Sequence, residues 1–97
     1  MNKLPIYNYL DLSTAHITQE TDEYLSKQAR EDKINKAIVY EKDCGYFVYV
    51  PELDEIDDYD MPDDLKACLK FAAEHNCYWL VLDGGAGTIE ELETYEW

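Results

Sequence analysis

A chain of 97 residues with 46% hydrophobic and 13% aromatic side chains has apolar material for one core and too little length for two, so residues 1–97 read as a single domain. Its net charge of −14 argues against direct contact with nucleic-acid phosphates or an anionic membrane surface, because like charge repels both. No apolar run approaches the roughly twenty residues of a membrane span, no leader pattern opens the chain, and the three cysteines Cys44, Cys68 and Cys77 have no paired spacing, so a reduced, cytoplasmic protein is expected.

Leu4 to Leu12 sets Leu4, Ile6, Leu10 and Leu12 against Pro5, Tyr7, Tyr9 and Asp11, which is the period of two of a first strand. Thr18 is a candidate helix N-cap, followed by Glu20, Asp22 and Glu23 where the positive end of the helix dipole favours acids. The helix is expected over Gln19–Glu31, with Lys27, Arg30, Lys33 and Lys36 toward its far end. Ala37–Glu41 and Tyr46–Val50 are rich in β-branched and aromatic residues and are separated by Lys42, Asp43, Cys44 and Gly45, a hairpin pattern. Pro51 ends the second of these strands, since it has no N–H for a ladder.

Pro51 to Asp64 packs eight carboxylates into fourteen residues without a base. Residues 1–50 hold eight acids and six bases and residues 51–97 hold fourteen and two, so the halves carry −2 and −12. The stretch reads as a loop pinned at both ends, with Leu53–Asp60 free to move. Pro62 suits the start of a second helix, where Leu65, Cys68, Leu69 and Ala72 recur at i, i+3, i+4 and i+7 and Asn76 supplies a left-handed stop. Tyr78–Leu82 reads as a buried strand, and the tail as a helical turn at Ile89–Leu92 followed by an extra strand at Thr94–Trp97. The order strand, helix, strand, strand, helix, strand implies an α+β, ferredoxin-like βαββαβ sandwich, an antiparallel sheet with both helices on one face.

Four groups of residues invite a chemical reading. Gly84–Gly87 follow a strand as a phosphate cradle would, but the lysine of a phosphate loop is missing and Glu90, Glu91, Glu93 and Glu96 would repel an anion, so a plain turn is the simpler reading. The acids of the loop lack the glycine and the terminal glutamate of a calcium loop, and the histidines and cysteines lack zinc spacing, so neither metal nor cofactor is expected. Ser13 and His16, with the glycine loop 84–87, form the residue set for an alternative reading as a small enzyme or ligand-binding domain. Cys44, in a turn beside Lys42, carries no sign of activation. Gly45-Tyr46-Phe47-Val48-Tyr49-Val50 is similar to the third strand of RNA-recognition domains, and Tyr7, Tyr9, Phe47 and Tyr49 could line an open sheet face, but the net charge gives RNA no purchase and assigns these rings to a core or a protein partner.

The acidic stretch remains the most informative feature. Asp54, Glu55, Asp57, Asp58, Tyr59, Asp60, Asp63 and Asp64 are the residues expected to meet a partner, a basic protein surface such as the groove of a nucleic-acid-binding enzyme. Leu10–Thr18, Gly45–Val50, Met61–Leu65 and Leu92–Trp97 together resemble a small bacterial family of unknown function. The resemblance implies a setting on plasmids, phages and mobile elements, sometimes near antirestriction genes, and attaches importance to Ser13–His16 without a role. The glycine loop departs from the charged turn the family tends to show. By analogy, the expected function is non-catalytic: an acidic, nucleic-acid-mimicking inhibitor of a host defence nuclease of the restriction or CRISPR type.

Overall fold

A computed structural model describes residues 4–30 and 37–97. The described residues form an α+β domain in which β1 (Tyr9–Ser13), β2 (Val39–Lys42), β3 (Gly45–Tyr49) and β4 (Trp79–Asp83) make one sheet, and α1 (Gln19–Gln28) and α2 (Asp63–Glu74) cover one of its faces. Two 3-10 helices, Thr14–His16 and Leu53–Asp58, lead into α1 and α2. Glu31, Lys33 and Lys36, expected at the end of the first helix, lie outside the described residues.

Alternation decides which face each strand buries. Leu12, Val39, Tyr46, Val48, Leu80 and Leu82 turn toward the helices and meet Leu25, Leu65, Cys68, Leu69 and Ala72 in one core. The first strand is shorter than its pattern: Leu4 and Ile6 are 63% and 72% exposed, and the ladder begins at Tyr9 opposite Trp79, with the Tyr78 N–H donating to the Asn8 carbonyl at 2.9 Å just before it. Thr18 caps α1 by accepting from the Thr21 N–H at 3.2 Å, and Asn76 takes φ 61, the left-handed conformation expected after α2. Asp43 and Cys44 form the turn between β2 and β3, with Cys44 at φ 63. Gly45 serves a close approach, since a Cβ there would sit 1.8 Å from the Leu82 carbonyl oxygen on β4.

The strand order corrects the ferredoxin-like expectation. The order is β1-β4-β3-β2; β4 pairs parallel with β1 and antiparallel with β3, so the sheet is mixed and β1 lies at its edge. In a split β-α-β arrangement a single helix carries the chain from one end of the sheet to the other, and the first strand inserts beside the third. Here the acidic stretch makes the outward journey and α2 makes the return. Tyr49 pairs with Trp79, and the Val50 N–H donates to the Tyr78 carbonyl at 3.0 Å, so β4 starts where β3 stopped. Asp64, at the first turn of α2, meets Thr18 beyond the opposite end of β1.

The tail also differs from expectation. Ile89–Leu92 makes a turn without a helix, and Thr94–Trp97 joins no sheet. Its backbone is tied instead to the segment after β1: the Tyr95 N–H donates to the Ala15 carbonyl at 2.8 Å, and the Trp97 indole N–H to the Ile17 carbonyl at 2.9 Å.

Candidate functional site

The acidic stretch is a built element. Its middle, expected to be free, is the six-residue 3-10 helix Leu53–Asp58, and the correction has a single main cause: Ile56 is fully buried in the core. Side chains three apart eclipse on a 3-10 helix. Ile56 and the half-buried Tyr59 that follows therefore form the inward ridge, with Leu53 at its exposed end, and Asp54 with Asp57 and Glu55 with Asp58 form two outward ridges, all four acids exposed. Met61, also buried, holds the far end. The Tyr24 hydroxyl donates to the Asp60 carbonyl at 2.8 Å and ties the end of the stretch to α1; burial raises the Tyr24 pKa, with Asp60 adding to it.

The two bases of residues 51–97 both turn to this helix. Lys70 pairs with the Asp57 carboxylate at 2.8 Å and holds its pKa below the usual carboxylate range, and the Lys66 ammonium donates to the Asp57 carbonyl at 3.2 Å. Four carboxylates within five residues, at about 2 Å of rise per residue, stand roughly every 2.5 Å, and with Asp57 paired to Lys70 the other three leave a net charge roughly every 3.3 Å. Duplex DNA carries one per about 1.7 Å of axis and a single strand one per about 3.4 Å.

The expected contact residues divide into two groups. Asp54, Glu55, Asp57, Asp58, Asp60 and Asp63 are exposed, and Tyr59 is half-buried beside them. Asp64 works inside the fold: it accepts from the Thr18 N–H at 2.7 Å and from the Thr21 hydroxyl at 2.6 Å and 2.8 Å, joining the first turns of α1 and α2. The apolar repeat of Leu53, Ile56 and Tyr59 is the available sign of this helix, hidden because period three matches neither a strand nor an α-helix.

Ser13, His16 and the glycine loop do come together, bound through the main chain. The Ser13 N–H donates to the Gly87 carbonyl at 3.0 Å, and the Ser13 hydroxyl oxygen caps the first 3-10 helix by accepting from the Ala15 N–H at 3.0 Å. His16 is buried; its Nε2 accepts from the Ile89 N–H at 3.0 Å, so Nδ1 carries the proton and donates to the Glu93 carbonyl at 2.8 Å. Both ring nitrogens thus clasp the tail. Gly84 donates its N–H to the Cys44 carbonyl at 2.8 Å, Gly85 donates to the Asp83 carboxylate at 2.7 Å, and Lys42 pairs with that same carboxylate, lowering the Asp83 pKa. Buried Cys68 has its thiol pushed up to about 12 by desolvation, with Asp64 adding to it, so it is an inert packing group. Among the described residues no cluster of three or more His, Cys, Asp or Glu could hold a metal ion, and no helix is long and apolar enough to cross a membrane.

Residues 9–97 match the model of a family of unknown function, DUF5983, over its C-terminal domain. The chain belongs to this family. No curated protein and no solved structure matches the DUF5983 chain. Its open sheet face carries the tyrosines singled out from the sequence, Tyr7, Tyr9 and Tyr49 with Phe47, and adds Tyr40 and Trp79, which the strand pattern alone did not mark.

Proposed function

We propose that the protein acts without catalysis, by seating the 3-10 helix Leu53–Asp58 in a groove of another protein built to hold nucleic-acid phosphates. A nuclease of host defence, of the restriction or CRISPR type, is the proposed partner, and inhibition by occupancy the proposed effect. One observation carries the reading: Asp54, Glu55, Asp57 and Asp58 stand on two outward ridges, held by buried Ile56, and with Asp57 paired to Lys70 the net charge spacing of roughly 3.3 Å is close to that of single-stranded DNA. Mimicry needs carboxylates at fixed spacing, since a mobile loop would lose much of its binding free energy to ordering.

The test is capture from a bacterial lysate at low and high salt, followed by a DNA-cleavage assay on the captured protein. The wild-type chain is expected to hold a nucleic-acid-binding enzyme at low salt, to release it at about 1 M salt, where the Debye length is about 3 Å, and to slow its cleavage. The variant Asp54→Asn, Glu55→Gln, Asp57→Asn, Asp58→Asn should lose both effects. Capture of the same enzyme by that variant with unchanged salt dependence would sink the proposal.

A further inference from the structure

The helices cover one face of the sheet, and among the described residues no element packs on the other. Strand register arranges this bare face in rows. Tyr9, Trp79 and Tyr49 stand side by side in one row; Asp11, Val81, Phe47 and Tyr40 follow in the next; Asp83, Gly45 and Lys42 close the face with an ion pair. Tyr7 and Tyr78 stack obliquely at 4.8 Å beyond the first row. Trp79 sits between two neighbours, Tyr49 edge-on at 5.7 Å and Tyr40 tilted at 6.1 Å, so these rings meet at angles and not face to face. Tyr7, Tyr9, Tyr40, Phe47 and Trp79 line a shallow concavity of about 340 Å³.

Tyr7, Tyr9, Tyr40, Phe47 and Tyr49 are 39–62% exposed. At about 200 Å² per ring these five alone present on the order of 500 Å² of aromatic surface, toward the upper end of what a monomer leaves open. A standard interface between folded partners needs about 800 Å² per side, which favours a segment over a whole domain or a second copy. Charge narrows the occupant further. At −14, two copies repel each other and a nucleic acid is repelled as well. Asp11 lies in the second row, next to the rings. An aromatic surface in a negative field suits a planar cation, because guanidinium stacks on ring faces and is less strongly hydrated than ammonium.

We infer that the bare sheet face is a docking platform for an extended, arginine-bearing segment of a partner protein, with guanidinium groups laid on the faces of Tyr9, Tyr49, Phe47 and Trp79. This surface lies across the sheet from the core that holds the acidic 3-10 helix, and it stands whether or not that helix mimics nucleic acid.

The probe is a blocked eight-residue peptide alternating arginine with serine, compared with its lysine and citrulline counterparts. Each is titrated into the full chain at 0.5 M NaCl, where screening suppresses the distant acids, and read by backbone amide chemical shifts. The arginine peptide is expected to shift Tyr9, Phe47, Tyr49 and Trp79, to bind about fivefold or more tightly than the lysine peptide, and to lose binding as citrulline. Tyr49→Ser and Phe47→Ser, made singly and checked for intact hairpin shifts, should each weaken it about tenfold; Tyr9→Ser replaces either variant if it unfolds. The quadruple Asp54–Asp58 variant should retain binding within about threefold, which separates this proposal from the previous one. Shifts confined to Asp54–Asp58, equal binding of arginine and citrulline peptides, tighter binding of a single-stranded oligonucleotide, or dimerisation through this face would each overturn it.

Discussion

Replacing Ile56 by alanine tests whether the acidic stretch is an element or a loop. The substitution removes three carbon groups from a side chain with no exposure, about 2.4 kcal/mol at roughly 0.8 kcal/mol per group. The residual cavity raises the expected loss to about 3–4 kcal/mol, inside the 2–5 kcal/mol typical of such truncations. Against the roughly 5–15 kcal/mol of a domain this size, that is a large fraction, and the thermal midpoint should fall on the order of 15–25 °C. Urea unfolding followed by far-ultraviolet circular dichroism gives the value directly, with the slope expected to stay constant. Leu53→Ala, on the same ridge but 44% exposed, is the control and should cost under about 1 kcal/mol. A loss below about 1 kcal/mol for Ile56→Ala would mean that the stretch opens locally at little cost, and the charge-spacing argument would fall with it.

Three further outcomes follow from particular contacts. Asp64→Ala should destabilise by about 2–3 kcal/mol in the same assay, because it strips a charged acceptor from the Thr18 N–H and the buried Thr21 hydroxyl, whereas Asp58→Asn should stay within about 0.5 kcal/mol. His16→Phe keeps a ring but removes both links to the tail, so hydrogen exchange at the Ile89 and Tyr95 amides should accelerate at least tenfold while the β3 and β4 amides stay protected. The Tyr46 phenol is pushed up to about 12 by burial and then by its hydrogen bond to Asp22. Its folded value exceeds its unfolded one, so its contribution is whole below about pH 10 and is lost as pH rises toward 12. Absorbance at 295 nm should show tyrosine titration extending toward pH 12, and Tyr46→Phe should remove a late step and flatten the alkaline limb of stability.

The elements were legible where one physical cause acts over several residues. Alternation at Tyr46 and Val48 against Phe47 and Tyr49, and the stripe Leu65, Cys68, Leu69 and Ala72, each report a face repeatedly, and the structure buries the same members. Topology was not legible, because it turns on whether residues 51–62 stay at one end of the sheet or cross to the other, and the core residues of that stretch, Ile56 and Met61, stand singly among acids. The tail was opaque for a different reason: His16 grips the Ile89 N–H and the Glu93 carbonyl, main-chain atoms that every residue possesses. Of the expected contact residues, Asp64 ties the starts of the two helices together, which was not legible because an acid in the first turn of a helix looks the same from sequence whether it faces a partner or a neighbouring helix.

The return journey through the 3-10 helix and α2 also sets an order in time. Strands β2 and β3 meet across a two-residue turn, but β4 must find β3 from Tyr49 to Trp79 and find β1 from Ser13 to Asp83, so both its ladders close long loops. During synthesis the chain can form its hairpin early and nothing more of its sheet until Trp79–Asp83 has emerged. Until then the tyrosine-rich strands are held at most by a lone hairpin, and the nine acids and two bases of residues 51–78, a net −7, are the charge that keeps such partly made chains apart.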